Sequence, residues 1–462
     1  MSTALGIQRG NTDSSAVETW SRMEKNAFPG VETLIRNSPS HPQPEYLSIE
    51  ASSSSGKSSA QSSSQTKRHI TGESTETCTP WVRQEYSNDM IGFHEEIVHF
   101  YSYMSPKRSE RCMRLRVFEK VKAIILKLWP RAQVYPFGSF CTNLYLPTSD
   151  IDIVVLGEWL ALPLFSLEDA FLKAQIAIED SIMVLDKTTV PIIKFTDRET
   201  EVKVDISFNQ ETGIYSANLI CQYVQQFPYL PYLALIVKQF LAQRQLNEVY
   251  YGGINSYSLI LMLVSFFQMH ARNEVADVSS NLGVLLMEFF ELYGRTFNYT
   301  KVAISIIDGG CYFPKEALLD GMEDSLLYIQ DPLEQRENAC RGCYGIMQVK
   351  AAFEHAYNLL HTILMAREDG TATRGTSLLS RIIQISKEVE SYRNWTESTW
   401  GSATISSPPP FSLTTPIYSP LGIQGAMMHP PQYLYSSPLA PIPPHHSSYS
   451  HQKPDAEAAT NN

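Results

Sequence analysis

The sequence predicts an α+β fold, with a small strand-rich block set in a largely helical chain and low-complexity tails at both ends. Two runs with strict alternation, SDIDIVV ending at Val155 and VKVDISF ending at Phe208, fall in the stretch from about Gln133 to Phe208 and read as strands. Beyond it, long apolar runs recur at helical spacing. The outer segments carry no hydrophobic period and are dense in Ser, Thr and Pro.

In chain order, residues 1–80 form a Ser/Thr-rich leader, including SSSSGKSSAQSSSQT, that is expected to be disordered. Residues 81–131 hold two helical runs. The first is NDMIGFHEEIVHFYSYM. In the second, Met113, Val117, Val121, Ile124 and Leu128 recur at helical spacing. Around them stand Lys107, Arg108, Arg111, Arg114, Arg116, Lys120, Lys122, Lys127 and Arg131, against only Glu110 and Glu119. This predicts an amphipathic helix with a basic outer face, which reads equally well as a solvated surface or as a track for RNA. Residues 132–215 are the strand-rich block, and residues 216–400 are helical through ANLICQYVQQF, LPYLALIVKQFLAQRQL, SYSLILMLVSFFQMHA and NLGVLLMEFFELYGR. Residues 401–462, with SSPPPFSLTTPIYSPLG, are expected to be a second disordered tail.

The bulk numbers narrow the class. A chain of 462 residues with 43% hydrophobic content can bury a real core in two or three domains. No run of eighteen apolar residues occurs, and MSTALGIQRGNTDSS has no signal core, so a soluble, non-secreted protein with no membrane association is expected. The formal charge of −11 means that the chain as a whole does not attract nucleic acid. Seven irregularly spaced cysteines fit reduced thiols; Cys340 and Cys343 form a C-x-x-C with no second pair, and are read as incidental.

The chemistry concentrates between Gly138 and Val155, GSFCTNLYLPTSDIDIVV. Side chains at i and i+2 of a strand share a face, so Asp150 and Asp152 project together while Ile151 and Ile153 enter a core. Two acids held that close call for cations, and an oxygen-rich site suits Mg²⁺ bound with substrate phosphates. In EVKVDISF, Val202, Val204, Ile206 and Phe208 form one face and leave Asp205 on the other as a third ligand. The Gly138-Ser139 turn offers close backbone approach and N–H donors to a triphosphate. From the residues alone, metal-dependent nucleotidyl transfer follows. Lys238, a charge inside the apolar run LALIVKQFL, needs either an internal ion pair or a ligand phosphate.

Gly138-Ser139, Asp150-x-Asp152 and Asp205 resemble the signature of the DNA polymerase beta nucleotidyltransferase superfamily. LYLPTSDID, TVPIIKF, VKVDISFN, VKQFLAQRQLNEVYYGGINSYSL, EFFELYGRTFNY, YIQDPL and YGIMQVK closely resemble the noncanonical poly(A) RNA polymerases of terminal nucleotidyltransferase family 4, over roughly residues 85–400. The resemblance implies a small catalytic head inserted in a helical, PAP-associated central domain, to which the helices of 81–131 would belong. It implies template-independent addition of AMP from ATP to RNA 3′ ends with Mg²⁺ or Mn²⁺. Asp150 and Asp152 would bridge two ions, and Asp205 would complete the one that activates the RNA hydroxyl. Gly138, Ser139, Lys238, Ser256 and Tyr257 would contact the nucleotide. Tyr257 would also stack on the base, a role weighed against that of a core aromatic. Asn218 takes the ribose-contacting position.

YIQDPLEQRENACRGCYG resembles the nucleotide-recognition loop of that family, with Asp331 and Glu334 as acceptors for the adenine amine. No histidine lies between Tyr328 and Gly345, and Glu337 stands where uridylyl-transferring relatives often carry one. Cys340 and Gly342 depart from the usual V-G-R-S-S-Y-G stretch. A terminal uridylyl or mixed-nucleotide transferase, an inactive RNA-decay scaffold and a small-molecule nucleotidyltransferase are the competing readings. The partners implied are an RNA 3′ end, ATP, and a zinc-knuckle RNA-binding protein with a helicase, or another RNA-binding adaptor such as a germline translational regulator. The resemblance implies action in the nucleus, with cytoplasmic relatives known.

Overall fold

The computed structural model describes residues 77–270, 281–318, 325–368 and 377–402. Most of the expected leader, residues 1–76, and the tail 403–462 lie outside them. The described chain starts earlier than the expected boundary at residue 80. Strand β1 (Thr77–Cys78) pairs antiparallel with Ile385–Ser386, and Trp81 is fully buried.

Helix α1 (Met90–Met104) starts at Asp89, whose carboxylate accepts from the backbone N–H groups of Ile91 and Gly92, and its Phe93, Ile97, Phe100 and Met104 recur on one buried face. Helix α2 (Arg108–Leu128) follows. The sheet is then laid down as β2 (Gln133–Phe137), β3 (Ile151–Leu156), β4 (Met183–Leu185), β5 (Ile192–Thr196) and β6 (Lys203–Phe208), with the short helix α3 (Gly138–Thr142) after β2 and α4 (Leu164–Ala174) after β3. The order is β2-β3-β6-β5-β4, antiparallel except for the parallel β3–β6 pair. Alternation buries Ile151, Ile153, Val204 and Ile206 on one face under α2 and α4.

Helices α5 (Thr212–Gln226), α6 (Leu230–Ala242), α7 (Ser256–Met269) and α8 (Leu282–Glu291) follow, then a hairpin of β7 (Val302–Ser305) and β8 (Cys311–Pro314), helix α9 (Ile346–Glu368), the short strand β9 (Ile385–Ser386) and α10 (Lys387–Trp400). Helices α6 and α7 are apolar on nearly every side because they run through the middle of the second core. There Phe240, Phe289, Phe290 and Phe353 pack ring against ring, with centroids 5.3–6.0 Å apart. The run NLGVLLMEFFELYGR, read as one helix, changes at Leu292 into a π turn, where Gly294 sits against the backbone of Glu354 too closely for a side chain. Among the described residues no helix is long and apolar enough to cross a membrane.

The two cores divide the helices of residues 81–131 differently from expectation. Helix α1 joins the helical core, but Met113, Val117, Val121 and Ile125 of α2 pack on the sheet. Helix α2 therefore belongs with the strand-rich block, because its apolar stripe fits the face that Ile151, Ile153, Val204 and Ile206 present. Its charged residues are not all outward either. Glu110 is 2% and Arg114 1% exposed, and Lys120 is paired with Asp197.

Candidate active site

Strand register brings the acidic residues together. Asp152 stands opposite Asp205 in the parallel β3–β6 pair and opposite Phe137 in the antiparallel β2–β3 pair, while Lys194 stands opposite Asp205 across β5–β6. Asp150 lies two residues before Asp152, on the same side. Carboxylate oxygens of Asp150, Asp152 and Asp205 all lie within 4.8 Å of one another. Burial, followed by the charges of Asp150 and Asp205, pushes the Asp152 carboxyl up to about 8. Asp205 is raised as well, by burial first and then Asp150, and is ion-paired to Lys194. So compressed a set of hard oxygen donors fits a divalent cation, which would relieve the repulsion that now favours protonation.

Beside the carboxylates stands a strand–turn–helix, β2 running into α3. Gly138 has φ +63°, and a Cβ placed there would stand 2.2 Å from Oδ2 of Asp152. From Gly138 and Ser139 a cavity of about 510 Å³ extends past Ser216, Lys238, Ser256 and Tyr257 to Asp331 and Glu334. Lys238 enters it from the apolar helix α6; its Nζ donates to the Leu144 carbonyl at 2.7 Å. Burial lowers its pKa to about 8 against the opposing pull of Asp150 and Asp152. A backbone carbonyl thus stands where an internal ion-pair partner was expected, with the carboxylates near enough to be felt. Ser256 opens α7, where Asn255 caps the helix through its side chain, accepting from Ser258 N at 2.7 Å; the free N–H groups of that terminus suit an anion.

At the far end Tyr257 Oη donates to Asp331 Oδ1 at 3.2 Å, and Leu333 N donates to the same oxygen at 2.9 Å. Tyr257 is therefore neither free nor a plain core aromatic: it ties the loop to α7. Glu337 N bonds the Glu334 carbonyl at 2.7 Å and Asp331 N the Glu337 carbonyl at 3.0 Å, closing the loop on itself.

Asn218 is the one predicted nucleotide contact that does not line this cavity. On α5 the lining stripe is Gly213, Ser216, Ala217 and Ile220, and Asn218 is turned off it, its Oδ1 buried without a hydrogen-bond partner. Ser216 occupies the face assigned to Asn218. Arg341, Leu333 and Phe137 also line the cavity and were not foreseen; Arg341 lies within the recognised ACRGCYG stretch, so its signal was present.

The chain is similar in sequence and fold to known RNA polymerases. Residues 93–225 match the model for the poly(A) RNA polymerase, mitochondrial-like, central palm domain, and residues 281–337 that for the Cid1 family poly A polymerase. The chain is 35% identical to the poly(A) RNA polymerase cid14 of Schizosaccharomyces pombe, over 71% of this chain and 50% of that protein. It is 36% identical to the inactive noncanonical poly(A) RNA polymerase protein Trf4-2 of Drosophila melanogaster, over 65% of this chain and 75% of that one. A solved polymerase core of TRAMP, an RNA surveillance complex, superposes with a TM-score of 0.58 at 36% identity, over 66% of this chain and 99% of that chain. The chain spans about half, or less, of the length of its first fungal and nematode relatives.

Proposed function

The chain belongs to the noncanonical poly(A) RNA polymerase family, and from that premise we propose that it is a template-independent adenylyltransferase that extends RNA 3′ ends with AMP from ATP. The observation that carries this reading is the convergence of Asp150, Asp152 and Asp205 beside a cavity that holds a buried lysine and a helix N-terminus. Divalent ions held by the three carboxylates would lower the pKa of the attacking 3′-hydroxyl and neutralise the departing pyrophosphate.

The protein's own groups do the rest. Gly138 and Ser139 offer backbone and hydroxyl donors to the triphosphate, and Lys238 and the α7 terminus at Ser256 add positive potential. Tyr257 keeps Asp331 in place at the base end, where Asp331 and Glu334 are acceptors for the adenine amine; Glu337 beside them adds a third carboxylate, which disfavours the carbonyl edge of uracil. Ser216, which lines the cavity on the face of α5 assigned to Asn218, is the hydroxyl proposed to bond the ribose. An inactive scaffold is the weaker reading, because convergent, mutually repelling carboxylates are costly to keep without a cation to bind.

Action within a TRAMP-like RNA surveillance assembly, in the nucleus, with a zinc-knuckle RNA-binding protein and a helicase as partners, extends the same proposal. The test is to incubate the purified chain with a defined RNA and each nucleoside triphosphate in turn, with Mg²⁺ or Mn²⁺, and to sequence the tails. Adenylate tails that vanish in an Asp150→Asn, Asp152→Asn variant are expected; uridylate or mixed tails would overturn the base assignment, and no tails the activity.

A further inference from the structure

Arg114 lies on the helix whose charge pattern suggested a basic outer face, yet it is 1% exposed. Its guanidinium is spent entirely on one short segment. Nη1 donates to the Asp150 carbonyl at 3.1 Å, and Nη2 donates to the carbonyls of Ser149 at 2.6 Å and Pro147 at 3.2 Å. Its carbon centre stands 4.4 Å from the ring centroid of Tyr145. These contacts all fall in the loop that leads into β3, the strand carrying Asp152.

Burying a cation is costly unless its donors are satisfied, so this arrangement needs a return. The nearest acid on the helix acts on it only through space: the Glu110 carboxylate is engaged by Arg393 of α10, with Nε 2.9 Å from Oε1 and Nη2 3.2 Å from Oε2. A planar fork can grip several carbonyls at fixed angles, which the point charge of a lysine cannot. The loop's internal bonds, Ser149 N to the Leu146 carbonyl at 2.9 Å and Leu146 N to Ser149 Oγ at 3.0 Å, close the turn but do not orient its exit. The Asp150 peptide, which aims both Asp150 and the start of β3, is oriented by Arg114.

We propose that Arg114 is a positioning residue for the metal-binding carboxylates, fixing Asp150 and Asp152 at the spacing a divalent ion requires. The proposal rests on the reading of Asp150, Asp152 and Asp205 as a divalent-cation site. Groups that orient metal ligands from outside the coordination sphere typically change metal affinity about 10- to 100-fold when removed.

Mn²⁺ binding to the full chain, without RNA or nucleotide, tests this by titration calorimetry or by the loss of the free-ion paramagnetic resonance signal. In Arg114→Met the Mn²⁺ dissociation constant should rise about 10- to 100-fold. Arg114→Lys should fall between that and the wild type. At fixed Mg²⁺, kcat should drop by a similar factor and recover as Mg²⁺ is raised, with KM for RNA unchanged. Wild-type Mn²⁺ affinity in a folded Arg114→Met variant would overturn the proposal. If that variant does not fold, Arg114→Lys carries the test, and failure of both to fold would assign the guanidinium to fold stability alone and overturn it equally. A wild-type chain with no Mn²⁺ site sensitive to Asp150→Asn and Asp152→Asn would remove the premise instead, a failure visible before any Arg114 variant is made.

Discussion

Gly138 and Asp152 are packed so closely that the first atom of any side chain at 138 would stand 2.2 Å from Oδ2 of Asp152. The glycine is thus required twice, once by its positive φ of +63° and once by the carboxylate. A phosphate need not be present to explain it. The turn that lines the cavity and the strand that carries Asp152 share one van der Waals boundary, so neither can move alone.

Gly138→Ala should therefore separate folding from catalysis. The left-handed conformation costs an alanine about 1–2 kcal/mol, a modest thermal destabilisation, while the displaced Asp152 carboxylate should lower kcat at least about a hundredfold. A kcat within about threefold of wild type, measured with the melting temperature, would contradict this packing.

Asp150, Asp152 and Asp205 were legible because period-2 alternation puts acids on one face and Ile or Val on the other. The parallel register that sets Asp152 opposite Asp205 was not, since it depends on a long crossover between β3 and β6 whose length carries no register signal. Counting charge instead of position puts Arg114 on the outer face, whereas it is buried. Glu110, Arg114, Val117 and Val121 follow one helical stripe, so the two charges had to be buried with the valines. Asn218 was placed by motif resemblance, whereas the stripe Gly213, Ser216, Ala217 and Ile220 decides which side of α5 meets the cavity.

Replacing Asp205 with Asn should leave ATP binding within a fewfold of wild type and lower AMP addition by more than about a thousandfold, because the lost oxygen is one proposed to hold the ion that would activate the attacking hydroxyl. Lys194 would be released from its ion pair at the same time. Single-turnover extension of an RNA primer and a nucleotide titration measure the two effects separately. Activity within about tenfold of wild type would exclude Asp205 from the metal site.

The metal-free protein should lose stability as pH rises from the acid side. Asp152 titrates near 8 in the fold against an ordinary 3.8, so between these values the native chain keeps a proton that the unfolded chain has released. Its contribution is complete below 3.8 and is lost as pH passes 8. Lys238, lowered to about 8 from 10.5, acts in the window above: the native chain gives up its proton first, and stability returns as pH rises to 10.5. In EDTA, melting temperatures of wild type should fall relative to Asp152→Asn between about pH 5 and 8, and added Mg²⁺ should reduce the difference. Parallel curves in EDTA would show that Asp152 is ionised throughout.

RNA grip should be weak and strongly salt-dependent, because a chain of net charge −11 holds phosphates only through local basic clusters. On α2 the burial pattern decides which arginines can take part. Arg116 is exposed and Arg111 half-buried, whereas Arg114 is committed to the carbonyls before β3. Converting Arg111 and Arg116 to Gln should therefore reduce the steepness of log affinity against log salt by up to about two units, with Arg114 contributing none. Filter binding of a single-stranded RNA across a salt series measures the slope. The same double variant should keep its choice of ATP, since base selection is assigned to the loop around Asp331, held through Tyr257 at the other end of the cavity. An unchanged slope would move the RNA path off α2 altogether, and a changed nucleotide preference would mean that RNA binding and base selection share residues that this geometry keeps apart.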